Sequence, residues 1–167
     1  LKAIREAEAY HGLSDALKIL SESNLVVEST INSDDAEKLY TLAVSTLLLA
    51  DRVNTWHWAC KSGFHHTHFQ TIYESLRDFA DELVEMTLSS GRDFEYNIPV
   101  SIVPTKLIPL KSESDVKRAI EILEEFIEEL EKLSDIVDEK GFKAVVDLMD
   151  GEIGTITKEI GLLKSFT

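Results

Sequence analysis

All three prolines of this chain, Pro99, Pro104 and Pro109, fall in one stretch, residues 92–111. A proline inside a helix removes a backbone hydrogen bond and clashes with the preceding turn, so helices stop at such residues. The rest of the 167 residues carries none. Long helices are therefore permitted on both sides of the stretch, and the apolar spacing calls for two on each side.

Before it, Leu39, Leu42, Ala43, Thr46, Leu47, Ala50, Val53 and Trp56/His57 recur at three- and four-residue steps. That spacing predicts a long helix. Asn32, Ser33, Asp34 and Asp35 supply its cap candidates and first-turn acids, and Lys61-Ser62-Gly63 is read as its glycine stop. A second helix is expected over 65–90, with Phe69, Ile72, Tyr73, Leu76, Phe79, Ala80, Leu83 and Met86 inward and Gly91 as terminator. After the prolines, Ser112 or Ser114 caps a third helix running to about residue 140. Its inner face is Ile120, Leu123, Phe126/Ile127, Leu130, Leu133 and Val137, its outer face a row of glutamates, and Gly141 ends it. A fourth helix covers about 142–166, through Val145, Leu148/Met149, Ile153, Ile156, Ile160 and Leu163. Gly151, Gly154 and Gly161 within it either weaken it or permit close packing.

A connection of about 20 residues is far longer than an up-down bundle needs. It suits helices two and three running parallel, the connectivity of an all-α, ferritin-like four-helix bundle. Residues 32–167 are read as that single domain. Residues 1–31 are read as an N-terminal helical extension, broken at Gly12.

No apolar run reaches the ~18–20 residues of a membrane span. Acids appear by Glu6 with no apolar stretch before them, so no signal peptide is expected in the chain as given. Cys60 is the lone cysteine, which fits a reducing, cytoplasmic setting. The net charge of -14 argues against a broad nucleic-acid surface. Only Lys2 and Arg5 precede the first acids, so strong DNA binding is not expected.

Four of the five histidines, His57, His65, His66 and His68, lie around the junction of the first two helices. Asp81 and Glu85 follow on the second. Imidazole with carboxylate suits first-row metals such as Fe, Zn and Mn. With ~100° per residue and His66 at 0°, Gln70 falls near 40°, Asp81 near 60° and Glu85 near 100°. All four share one side of the helix, but Asp81 lies about 22 Å along the axis from His66. One metal cannot be held by both ends of one chain, and the spacing points to a site completed by symmetry. Taken singly, each group also has a plain reading: Asp81 and Glu85 as a solvated pair, His66 as an exposed helix-start residue, His57 as a core or interface residue. His65 and His68 are read as incidental. Glu8-x-x-His11 occurs once and has no second copy. There is no P-loop, dinucleotide fingerprint, His-Glu-x-x-His or cysteine pair.

His57-Trp58, then His66-x-x-Phe69-Gln70-x-x-Tyr73, then Asp81-Glu82-Leu83-Val84-Glu85 and Gly91 together resemble the Dps family, the mini-ferritins named as DNA-binding proteins from starved cells. The resemblance covers about 33–166. It implies a homododecameric shell with an iron-oxidising (ferroxidase) centre at each twofold interface. His57 and His66 would be ligands from one subunit, Asp81 and Glu85 from its partner, and Trp58 a nearby sink for oxidising equivalents. Fe(II) would be oxidised, preferentially by hydrogen peroxide, and stored as ferric iron, sparing DNA from radical damage. Gln70 stands where the family usually carries an aspartate ligand, and the connection between His57 and His66 is shorter than usual. The neutral amide puts the second metal position in question. The alternative is a structural or DNA-protecting shell with weakened or lost iron chemistry.

Overall fold

The structure is a computed structural model that describes residues 33–89 and 112–166. The expected N-terminal extension and the proline-containing connection lie outside the described residues. Among the described residues there are four helices and no strand: α1 (Ser33–Ala59), α2 (Gly63–Ser89), α3 (Glu113–Glu139) and α4 (Lys143–Lys164). None is long and apolar enough to cross a membrane.

Side-chain contacts give the direction of each helix. Arg77 of α2 meets Asp51 of α1 at 2.5 Å, and Trp56 packs on Phe69, so α1 and α2 are antiparallel. His68 and Ser75 of α2 meet Glu159 and Glu152 of α4. One number rises as the other falls, so α2 and α4 are antiparallel too. Ser134 with Asp150, and Glu124 with Lys164, give the same sense for α3 and α4. Lys140, just past the end of α3, reaches Asp35 at the start of α1 at 3.2 Å. It follows that α2 and α3 are parallel. The end of α2 and the start of α3 then lie about 40 Å apart, the length of a 27-residue helix. This is the all-α four-helix bundle that the long connection required.

The core is the periodic apolar stripe of each helix turned inward. On α3 it comprises Val116, Ala119, Ile120, Leu123, Phe126, Ile127, Leu130, Leu133 and Val137, with Glu121, Glu125 and Glu128 outside. The start of α3 is held by Ser112, whose backbone N–H and hydroxyl both donate to Asp115, at 3.1 and 2.9 Å. Its end is a Schellman turn: Gly141 takes φ +78°, its N–H donates to Asp138 and that of Phe142 to Val137.

Three local expectations are corrected. Gly63 does not stop the first helix, which ends at Ala59; it opens the second. The connection of residues 60–62 is too short to carry a glycine stop, and Ser62 accepts the N–H of His66 at 2.9 Å to begin α2. Leu47 is 37% exposed and not in the core, because it lies on a stripe with Asp51, Asn54 and Trp58 that faces away from it. The α4 glycines do not permit close packing: a Cβ at Gly151, Gly154 or Gly161 would meet open space.

Candidate metal centre

The tight turn after α1 sets His57 and His66 against each other. Cys60 donates its N–H to the carbonyl of Trp56, closing α1, and α2 begins within three residues. His57 thus sits in the last turn of one helix and His66 in the first turn of the next. Their rings stack with centroids 3.7 Å apart and planes 30° from parallel. The hydrogen bonding is reciprocal. Nδ1 of His57 donates to the backbone carbonyl of His66, and Nδ1 of His66 donates to that of His57, both at 3.0 Å.

That reciprocity determines the tautomer. A carbonyl oxygen only accepts, so each Nδ1 must carry hydrogen. In the neutral rings the lone pair is then on Nε2. Metal-binding histidines are commonly held in this way, one ring nitrogen donating to a carbonyl and the other left for the metal. His57 is buried and His66 exposed. Tyr73 meets the His57 ring edge-on at 5.3 Å, a neighbour that spacing alone had assigned to the apolar stripe.

The remaining candidates do not join them within the chain. Asp81 and Glu85 are exposed, one turn apart and toward the far end of α2. Among the described residues no three His, Cys, Asp or Glu side chains converge as a metal-binding group. Gln70 donates from its amide to Glu74 at 2.8 Å, so its one candidate ligand atom is the neutral carbonyl oxygen. Trp58 is 62% exposed on the outer side of α1. The structure therefore brings together His57 and His66, leaves Asp81, Glu85 and Trp58 exposed, and keeps Gln70 half-buried against Glu74.

A second polar layer was missed. Glu152 and Glu159 of α4 are buried. Ser75 donates to Glu152 at 2.5 Å, and His68 pairs with Glu159 at the same distance, so His68 is not incidental. Burial pushes the Glu152 carboxyl up to about 7; the Ser75 hydrogen bond opposes that rise and the nearby charge of Asp78 adds to it. Its Oε1 has no hydrogen-bond partner. It lines an open groove of about 700 Å³ between α2 and α4, with Glu74, Asp78, Glu82 and Asp147 around it. A signal was available: two acids seven residues apart interrupt the inner stripe of α4.

Compared with known proteins, the chain matches no family model, no curated protein and no solved structure.

Proposed function

We propose that this chain is the subunit of an iron-oxidising and iron-storing shell whose centre is shared across a twofold axis, as its resemblance to the mini-ferritins implies. The observation that carries this reading is the reciprocal His57–His66 pair, with both Nδ1 atoms spoken for and both Nε2 atoms left for a metal. Fe(II) is the substrate. The two imidazoles supply neutral donors from one subunit. Asp81 and Glu85, too far along α2 to serve the same chain, supply negative charge from the partner. Hard ferric iron is favoured over ferrous by such carboxylates. Hydrogen peroxide takes one electron from each of two Fe(II) ions and, with two protons, leaves as two waters. Exposed Trp58 stands at the same helix end as a one-electron reserve. The shell is proposed as a homododecamer of the cytoplasm without strong DNA binding, since the chain's charge is -14.

One observation favours the weaker alternative, a shell with reduced ferroxidase activity. Gln70 contributes no charge and its amide is tied to Glu74. A second metal on that side would be held loosely.

The test is anaerobic addition of Fe(II), then peroxide, with the near-ultraviolet ferric absorbance followed in time. The reading expects Fe(II) to bind and the absorbance to rise, with both reduced in Glu85→Ala, an exposed position. Absence of bound Fe(II) and of any rise removes it. An undiminished rise in Glu85→Ala assigns the oxidation elsewhere.

A further inference from the structure

Five carboxylates line the groove between α2 and α4, and among the described residues no lysine or arginine lines it. Glu74, Asp78 and Glu82 stand on α2 at four-residue steps, so they share one stripe. Asp147 and Glu152 complete the set from α4. None of the five belongs to the proposed iron centre. Their heights follow from the register of the two helices. His68 meets Glu159 and Ser75 meets Glu152, seven residues on along each helix. Glu152 is therefore level with Ser75, beside Glu74. Asp147 is level with Ala80, between Asp78 and Glu82. The acids of α2 thus set three levels of negative charge, about 6 Å apart and spanning about 12 Å.

Within the described residues this row is only partly neutralised. Asp147 pairs with exposed Lys143 at 3.0 Å, and Glu74 accepts from the amide of Gln70. Asp78, Glu82 and Glu152 form no ion pair among the described residues. Glu152 is the member that points to a ligand. It is 6% exposed, one of its oxygens holds the Ser75 hydroxyl, and Oε1 has no hydrogen-bond partner. A carboxylate oxygen shielded from water without a donor is unfavourable, and a cation bearing N–H groups would supply that donor.

A single metal ion does not match the row, because its oxygen ligands must all come within about 2–2.6 Å of it. The groove matches an elongated cation with several charges in line. Linear polyamines carry ammonium groups separated by propyl or butyl spacers, close to the interval between the levels. Phe79 and Leu148 line the same groove and offer apolar surface to such spacers. Its volume of about 700 Å³ is that of a small-molecule site. We propose that the α2–α4 groove binds a linear aliphatic polyamine, with ammonium groups at the levels of Glu74, Asp78 and Glu82 and one of them donating to Oε1 of Glu152. The exposed acids attract any cation and are screened by salt. The buried oxygen adds selectivity, since a charge-assisted hydrogen bond needs its donor at one place.

The test is isothermal titration calorimetry of the full chain with spermidine, a triamine, at physiological ionic strength and pH 8, above the value of about 7 to which burial lifts Glu152. A single saturable site is expected. Glu152→Gln keeps the shape and removes the charge, and should weaken binding roughly tenfold or more. Asp78→Asn, at an exposed position, should weaken it severalfold, and decides the matter if Glu152→Gln does not fold by circular dichroism. Glu128→Gln removes the same charge from the outer face of α3 and should leave binding unchanged. Magnesium at the same concentration should compete poorly. The absence of saturable binding, full binding in folded Glu152→Gln, or equal weakening by Glu128→Gln each overturns the proposal. Magnesium that displaces spermidine at equal concentration assigns the groove to a compact divalent cation and overturns it as well.

Discussion

Replacing Glu152 with glutamine isolates the effect of one buried charge. The carboxyl is 6% exposed, accepts one hydrogen bond from Ser75 and leaves its other oxygen unpaired. Burial raises it from its ordinary 4.5 to about 7. Below 4.5 the group is protonated in both folded and unfolded chains and has no effect on pH dependence. Between 4.5 and about 7 the unfolded chain releases the proton and the folded one keeps it. The folded state then binds more protons, so stability falls as pH rises through that window and levels off above it. At ~1.4 kcal/mol for each pH unit, the interval from 4.5 to about 7 amounts to at most about 3 kcal/mol. Glutamine keeps the shape and the acceptor for Ser75 but cannot ionise. Glu152→Gln should therefore match wild type near pH 4.5 and exceed it by up to about 3 kcal/mol at pH 8. Urea unfolding followed by circular dichroism at both pH values measures the difference directly. A gap of equal size at the two pH values would show that Glu152 acts by packing and not by charge, and would refute the reasoning.

The same structure makes further predictions. His68→Ala removes the short contact to buried Glu159 and leaves that carboxylate, among the described residues, only exposed Lys158 at 3.9 Å, which should cost about 1–3 kcal/mol in urea unfolding. A loss under ~1 kcal/mol would mean the pair is already solvated. Gly154→Ala fills open space in the interior of α4 and should raise stability by about 0.5–1 kcal/mol, read as a rise in Tm. A fall would mean a neighbour approaches that position. Burial pushes the Cys60 thiol from 9.0 up to about 11. At pH 8 its thiolate should be on the order of a hundredfold scarcer than that of an ordinary thiol, and disulfide-reagent labelling correspondingly slow until the chain is unfolded. Fast labelling of the folded protein at pH 8 would contradict this.

Several of these features are legible in the sequence. The α3 stripe from Val116 to Val137 separates so cleanly from the glutamates opposite that inside and outside follow from spacing alone. The cap at Ser112 and the stop at Gly141 are local chemistry and were read as such. Helix α1 was harder. Leu47, Leu48 and Leu49 follow one another, so an apolar residue lies in every direction and spacing could not decide that Leu47 faces outward. Gly63 illustrates a different limit. Glycine serves equally after one helix and before another, and only the length of the turn distinguished them.

The candidate centre divides along the same line. The residue types and their separation along α2 already split the histidines from Asp81 and Glu85, because a helix rises by a constant amount per residue. The tautomers of His57 and His66 did not follow from spacing. They depend on how a three-residue turn aims two backbone carbonyls at two rings. Nor could spacing show that His68 holds Glu159 or that Ser75 holds Glu152. Those partners lie more than seventy residues apart and meet only because α2 and α4 run antiparallel in one register. By itself the sequence determined the helices and the parallel course of α2 and α3, since both follow from local periodicity and the length of one connection. The tertiary structure alone decided which polar groups face each other across helices, because that depends on the relative height and rotation of helices that local spacing does not specify.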